Sequence, residues 1–169
     1  MFVRVISELK RWSRITGRDT LLPADCFFDI KTSRNTLSLW KVEEQEEGFE
    51  QFVVIATLGK STLSKISYVL ISEEELDAQG LQYQQDLPGC QYINEANSDF
   101  ISHHFDIVNI SQEEYIKIAN IIMKKIEEEK IEVLSLNEVK KVVKQLSSSG
   151  IINEEHLHDS MQKVIANIQ

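Results

Sequence analysis

Cysteine is scarce in this chain: only Cys26 and Cys90 are present, and they do not form a closely spaced pair. Two cysteines are too few for a disulfide framework, and structural zinc sites usually draw on cysteine or histidine pairs. We therefore expect a fold that is stabilised by its hydrophobic core, in a reducing, cytoplasmic setting. No cofactor and no metal ion are expected.

Proline and glycine are also rare, with two and six residues among 169. Low contents of both argue against long linkers and disorder. No apolar run approaches the roughly 20 residues of a transmembrane helix. Arg4 and Glu8 interrupt the first apolar residues, so a secretory signal is not expected. A chain of this length predicts one domain, or one domain with a helical appendage.

Basic residues are outnumbered by acidic ones, 18 to 27, and the excess is uneven. Residues 1–42 hold 8 basic and 4 acidic residues, a balance of +4. Residues 43–169 hold 10 basic and 23 acidic residues, a balance of −13. An acidic body repels nucleic acid over most of its surface, so DNA is not an expected partner.

Two apolar runs, residues 52–58 and 66–71, are rich in β-branched and aromatic side chains. Such residues favour strands, and the polar link at residues 59–64 is typical of a turn. The spacing predicts a central antiparallel hairpin. Residues 25–31, 36–43 and 100–110 have similar patterns and predict further strands.

Helical periodicity is clearest at the two ends of the chain. Residues 2–15 repeat apolar side chains every three or four positions and predict an amphipathic helix. Residues 81–99 are polar and predict an irregular loop, with a short strand at residues 91–93. A final helix is predicted from Asn153.

Serine followed three residues later by glutamate is a capping box, which marks the start of a helix. The sequence contains three such pairs, each before an apolar stripe of helical spacing. They predict helices over about 73–79, over 112–129, and after Ser135. The pairs are Ser72 with Glu75, Ser111 with Glu114, and Ser135 with Glu138.

These elements predict an α+β fold: a mainly antiparallel sheet of four to five strands, an N-terminal helix and three C-terminal helices, with the helices on one face of the sheet. Residues 1–130 would form the core domain. Residues 131–169 would form a helical hairpin that either packs on this core or projects from it.

Residues 59–62, Gly-Lys-Ser-Thr, match the end of a phosphate-binding loop. The complete motif needs a glycine five positions before Gly59, where this chain has Val54. A turn between two strands is therefore the favoured interpretation.

Asp29 and Lys31 would lie on the same face of the predicted strand 25–31, together with Asp25. A carboxylate and an ammonium group in this arrangement resemble part of the site of metal-dependent nucleases, where they act on a metal-bound water. A metal-dependent hydrolase or nuclease that uses Asp25, Asp29 and Lys31 is therefore the alternative enzymatic hypothesis.

The histidines lack metal-ligand spacing. His103 and His104 are adjacent, so they face opposite ways on a strand, whereas His156 and His158 are not one helical turn apart. A Cys90 nucleophile assisted by one of the first two and by Asp106 is another possibility, although no pattern brings these groups together.

A basic surface beside Trp12 on the predicted N-terminal helix is compatible with an acidic partner, with RNA or with anionic lipid, although a solvated helix face is the simpler interpretation. The acidic segments 43–50, 73–77 and 127–132 are compatible with a basic protein partner. The candidate contact residues are Glu43, Glu44, Glu46, Glu47, Glu73, Glu74, Arg11, Trp12 and Arg14.

The leading prediction is a non-enzymatic cytoplasmic protein that binds another protein through an acidic surface. Small acidic proteins that neutralise or escort a basic partner, such as immunity proteins, antitoxins and chaperones, share this general composition. The alternatives are the hydrolase and a structural subunit of an oligomeric assembly, including a homo-oligomer.

Overall fold

The structure, a computed structural model, describes residues 1–13, 21–30, 32–43, 48–85 and 91–168. Within these ranges a single antiparallel sheet of six strands is combined with six α-helices. The predicted α+β class with an antiparallel sheet is confirmed. The predicted number of strands and the arrangement of helices are wrong in detail.

The strand order across the sheet is β4-β5-β2-β1-β3-β6, and every pair of neighbours is antiparallel. The short strands β4 and β6 form the two edges, which limits the backbone that each edge exposes. The strands are β1 (Phe2–Ile6), β2 (Leu37–Lys41), β3 (Ile66–Ile71), β4 (Tyr83–Gln85), β5 (His104–Ile107) and β6 (Glu132–Leu134).

Strand β1 lies near the middle of the sheet, where a helix was predicted. Phe2 is opposite Lys41 on one side and opposite Ile71 on the other. The prediction of a helix over 2–15 is therefore wrong for its first half. A short 3₁₀ turn follows at Leu9–Trp12, and residues 14–20 lie outside the described ranges.

Residues 52–58 were predicted to be a strand, but they belong largely to a helix. The helices are α1 (Glu50–Ile55), α2 (Glu73–Ala78), α3 (Ser98–Ile101), α4 (Gln112–Glu127), α5 (Leu136–Ser148) and α6 (Asp159–Ile168).

Two more predicted strands need correction. Residues 24–28 form a 3₁₀ turn rather than a strand, and the first part of the 100–110 segment belongs to α3, so that β5 begins only at His104. The strands predicted at 36–43 and 66–71 are present as β2 and β3. The loop predicted at 81–99 contains β4, and Ile93 forms an isolated bridge with Ile152.

All three predicted capping boxes are present, and they start α2, α4 and α5. The last helix differs from its prediction, because a 3₁₀ turn at Glu154–His156 precedes α6 and the helix begins at Asp159.

Helices cover both faces of the sheet, rather than the one face that was predicted. Helices α1, α5 and α6 enclose one core with side chains such as Val3, Trp40 and Tyr68. Helices α2 and α4 enclose the other core, together with Phe2, Leu39 and other strand side chains that point to the opposite face of the sheet.

Residues 131–169 contribute strand β6 to the sheet, and α5 packs against α1. Whether this segment behaves as a separate unit from residues 1–130 stays a prediction. None of the described helices is long and apolar enough to span a lipid bilayer.

Candidate functional site

Asp29, the centre of the hydrolase hypothesis, is a buried carboxylate with both oxygens in use. Its Oδ1 accepts a hydrogen bond from the backbone N–H of Ser7 at 2.8 Å. Its Oδ2 accepts from the indole Nε1 of Trp12, also at 2.8 Å. This pattern is that of a carboxylate that holds neighbouring segments together.

Asp25 lies in the 3₁₀ turn and is exposed, whereas Asp29 is 4% exposed. The expected alternation of a strand, which would have placed the two carboxylates on one face, is therefore not present. Lys31 lies outside the described ranges. Across the described residues, no three His, Cys, Asp or Glu side chains converge as a metal site.

The basic residues near the N-terminus also have partners within the chain. Arg11 Nε lies 2.7 Å from a carboxylate oxygen of Glu8. Trp12 is 2% exposed, so its side chain belongs to the core and not to a contact surface. Arg14 falls outside the described ranges, and a binding role for Arg11 stays a prediction.

Glu43 and the acidic segments 73–77 and 127–132, by contrast, meet at one end of the sheet, around Met1. The N–H of Val42 donates to the carbonyl of Met1 at 2.8 Å, which places exposed Glu43 beside the start of β1. Strand β3 leads on the other side into α2, whose first turn begins with Glu73.

The third acidic segment follows an ion pair that fixes the end of α4 against α2. Lys125 Nζ, at the end of α4, lies 2.7 Å from a carboxylate oxygen of Glu75 in α2. A cavity of about 310 Å³ is lined by Met1, by Leu70 of β3 and by Glu129 and Glu132 of this segment, among others. We call the surface formed by residues 43, 73–77 and 127–132 the acidic end.

Two carboxylates of the acidic end have lowered pKa values. Lys41 Nζ lies 2.9 Å from Glu73, and this contact lowers the pKa of the Glu73 carboxyl. A bond from its own backbone N–H, followed by one from Ser72, lowers the pKa of exposed Glu74. Both groups are thus charged at neutral pH and can attract a cation.

A polar cavity lies on the sheet face that α1 and α5 cover only in part. It has a volume of about 440 Å³ and opens over β4, β5 and β2. Its lining includes Ser33, Arg34, Thr36, Ser38, Gln84, His104, Asp106 and Val108. We call it the sheet-face cavity.

Asp106 is the carboxylate of the sheet-face cavity, and it is only 7% exposed. Its Oδ1 accepts no hydrogen bond from the residues that the structure describes. His104 lies two residues earlier on the same face of β5, with Nε2 4.0 Å from that oxygen. The His104 ring packs against Trp40, with the ring centroids 5.0 Å apart.

A second cavity, of about 240 Å³, adjoins the first and shares Ser33, Thr36 and Ser38 with it. Arg4 lies here, where β1 and β2 diverge, and donates to the carbonyls of Ser38 and Asp29 at 3.2 and 3.4 Å. Burial lowers the pKa of Arg4, and the negative charge of Asp29 partly offsets this effect.

The remaining candidates are His103, Cys90 and the pair Gly59 and Lys60. His103 lies just before β5, so the predicted opposite orientation of adjacent strand residues does not apply to it. Its ring stacks on Phe52, and its Nδ1 lies 2.8 Å from the carbonyl of Lys41. Cys90 lies outside the described ranges. Of the described members of the nucleophile hypothesis, His104 and Asp106 lie close together. Gly59 and Lys60 follow the end of α1, and the Gly59 backbone lies against Tyr92.

Sequence reasoning did not recognise the sheet-face cavity. A signal was present, because Thr36 and Ser38 alternate with buried leucines, and His104 and Asp106 alternate with Phe105 and Ile107. Comparison with protein-family models, curated proteins and solved structures found no match for this chain.

Proposed function

We propose that this chain is a non-enzymatic protein that binds another protein through the acidic end, and that the partner surface is basic. The observation that supports the proposal is that Glu43 and the acidic segments 73–77 and 127–132 meet around Met1, although they are far apart in the sequence. Charge that is gathered on one surface steers an oppositely charged partner and sets its orientation.

Several carboxylates of the acidic end are exposed to solvent, including Glu74, Asp77 and Glu129. The lysines nearby are already engaged, since Lys125 is buried against Glu75 and Lys130 Nζ lies 2.7 Å from Glu128. In the sequence, Glu43 is followed by three more acidic residues, Glu44, Glu46 and Glu47. A partner with clustered lysine or arginine would meet an excess of negative charge.

The test begins with capture of partners from host lysate by the intact chain at low and moderate salt, with identification by mass spectrometry. The affinity of the purified partner is then measured by calorimetry. We expect the double variant Glu74→Lys/Glu129→Lys to bind at least about tenfold more weakly, because two attractive charges become repulsive. Binding of the unmodified chain should weaken as salt rises.

A matched control is Glu95→Lys/Glu155→Lys, which changes net charge equally at two exposed positions away from the acidic end. This variant should bind within about twofold of the unmodified chain, since its charges are remote on the scale of ionic screening. Equal weakening by the two double variants would reject the acidic end as the contact surface. Failure to capture a salt-sensitive partner would reject the proposal in this form.

The hydrolase and the assembly subunit stay predictions, and no contact described above favours either one. Strand β1 pairs with strands on both sides, so the oligomeric state should be measured on the intact chain rather than after removal of residues 1–18.

A further inference from the structure

The sheet-face cavity contains a buried carboxylate oxygen that no described donor satisfies. Asp106 is more than nine-tenths buried and lines the cavity, and its Oδ1 accepts no hydrogen bond from the described residues. Buried polar atoms are nearly always hydrogen-bonded, so each exception calls for an explanation. For a charged oxygen the cost of remaining without a donor is larger still.

The strand register places polar side chains on both sides of this carboxylate. Asp106 is directly opposite Ser38 in β2 and opposite Gln84 in β4. Side chains directly opposite one another point to the same face of a sheet. Three adjacent strands therefore present a continuous polar strip, and Asp106 is the acidic group in its middle.

The neighbouring His104 does not donate a hydrogen bond to Asp106 Oδ1. His104 Nε2 is 4.0 Å from Asp106 Oδ1, which is beyond the range of a hydrogen bond. The shared serine and threonine side chains belong to the rim of the cavity, and Gln84 is exposed. The cavity that Asp106 lines is large enough to admit a donor group from outside.

An organic cation fits this site better than a metal ion does. Metal sites require several converging ligands, whereas this cavity offers one carboxylate and one imidazole among the described residues. An alkylammonium or guanidinium group carries three to five N–H donors around one positive charge, which suits one carboxylate ringed by hydroxyl and amide oxygens.

We propose that the sheet-face cavity binds an organic cation, an alkylammonium or guanidinium group, through Asp106. Its volume of about 440 Å³ lies within the range of small-molecule sites. The group can belong to a free amine or to a lysine or arginine side chain of a polypeptide. This site lies apart from the acidic end, so the two proposals can fail independently.

Arg34 provides an internal test, because it is a cation at the rim of the same cavity. It is exposed and lies in a tight turn in which Arg34 and Asn35 both have positive φ, 53° and 60°. A bound cation would be repelled by its guanidinium group. Removal of the charge in Arg34→Gln should therefore strengthen binding, by about two- to fivefold for a screened, exposed charge.

The experiment titrates the intact, isotope-labelled chain with putrescine, agmatine and the neutral analogue 1,4-butanediol, and follows the backbone amide signals by NMR. Short peptides that contain one lysine or one arginine form a separate arm. We expect saturable shifts in β2, β4 and β5 with a Kd at or below about 1 mM for a cationic probe. The neutral analogue should not saturate.

Asp106→Asn is nearly isosteric and should weaken cation binding at least about tenfold, because the amide removes the charge. The matched control Asp99→Asn, at an exposed carboxylate of α3, should leave binding unchanged. A separate readout excludes a merely structural role: without ligand, Asp106→Asn should unfold at a temperature equal to or higher than that of the unmodified chain, since it removes the charge of a buried carboxylate whose Oδ1 has no described hydrogen-bond donor.

Each arm decides the proposal. Saturation by the amines or by the peptides supports the cation site and identifies its source. The absence of saturation with every cationic probe overturns it, and so does equal binding by Asp106→Asn. A marked loss of thermal stability in Asp106→Asn would show that the carboxylate is satisfied within the protein, which also overturns it.

Discussion

The indole Nε1 of Trp12 donates a hydrogen bond to Oδ2 of Asp29 at 2.8 Å, and both side chains are buried. The other oxygen of the same carboxylate accepts the N–H of Ser7, just after the end of β1. One side chain thus ties three segments together: the end of the central strand, the turn that carries Trp12, and the segment that follows Cys26. The sequence hypotheses gave Asp29 and Trp12 separate functional roles, yet their contact is structural.

Replacement of Asp29 by alanine should destabilise the protein. The change leaves the buried indole N–H of Trp12 and the part-buried backbone N–H of Ser7 without an acceptor, and a buried donor that loses its acceptor costs about 1–3 kcal/mol. We expect a decrease of about 2–4 kcal/mol in the free energy of unfolding, measured by urea denaturation.

Asp25→Ala is the matched control, because Asp25 is exposed and lies in the same segment. It should change stability by less than about 0.5 kcal/mol. If the two alanine variants were equally stable, the hydrogen bonds of Asp29 would not contribute as described. Any loss of activity in Asp29→Ala would have to be judged against its stability.

The pair formed by Glu75 and Lys125 should be strongly coupled. Lys125 is 8% exposed, and its Nζ lies 2.7 Å from Glu75, whose other oxygen accepts the N–H of Ser72. Glu75→Gln keeps the capping box but leaves the lysine charge without its counter-ion. We expect a loss of about 2 kcal/mol in the free energy of unfolding.

The double-mutant cycle with Lys125→Met checks this explanation. Methionine keeps the apolar stem and removes the charge, so the double variant should recover more than half of the loss caused by Glu75→Gln. Additive losses in the two single variants would mean that the ion pair contributes little.

Local patterns predicted the starts of α2, α4 and α5 correctly. Each of Ser72, Ser111 and Ser135 caps its helix through contacts within three residues, so no information from elsewhere in the chain is needed. The buried segments were harder. Val53, Val54 and their neighbours in α1 are enclosed on every side, and a helix without an exposed face has no amphipathic period to distinguish it from a buried strand.

Strand β1 was mistaken for a helix because Phe2, Val5, Ile6 and Leu9 also match helical spacing. Its true partners are β2 and β3, which come about 30 and 60 residues later in the chain and cannot be inferred from local periodicity. The sequence predicted the acidic segments one by one, but not that they lie together. Their proximity depends on the same pairing of β1 with β2 and β3. The cavity around Asp106 needed long-range pairing as well.

Gly59 is predicted to be required for close packing rather than for phosphate binding. An ideal Cβ at this position would lie 2.7 Å from the hydroxyl oxygen of Tyr92 and 3.2 Å from the ring carbon that carries it. Gly59→Ala should therefore lower the free energy of unfolding by about 1–3 kcal/mol, the usual cost of overpacking.

Tyr92→Phe removes the closest of these contacts. In that background the cost of Gly59→Ala should fall by at least about half, as measured by the double-mutant cycle. A neutral or stabilising Gly59→Ala in the unmodified chain would show that the tyrosine moves aside freely. The segment around Tyr92 would then be looser than its hydrogen bond to Asn153 indicates.

The buried thiol of Cys26 should make the protein lose stability as the pH becomes alkaline. The Cys26 side chain is fully buried, and burial, followed by the charge of Asp29, raises the pKa of the thiol to about 11. An exposed cysteine in the unfolded chain has a pKa of roughly 8.5. The unfolded state therefore loses its proton first and gains stability as pH rises, so the protein should lose stability between about pH 8.5 and 11.

The measurement compares unfolding free energies across this pH range for Cys90→Ser and Cys26→Ala/Cys90→Ser, so that Cys26 is the thiol under test. Tyrosines with raised pKa values, including Tyr68, titrate in both variants and cancel in the comparison. The alanine variant should show a constant packing loss but a shallower decline with pH. Parallel pH profiles in the two variants would mean that the thiol titrates alike in the folded and unfolded chains, and that its burial does not hold the proton in place.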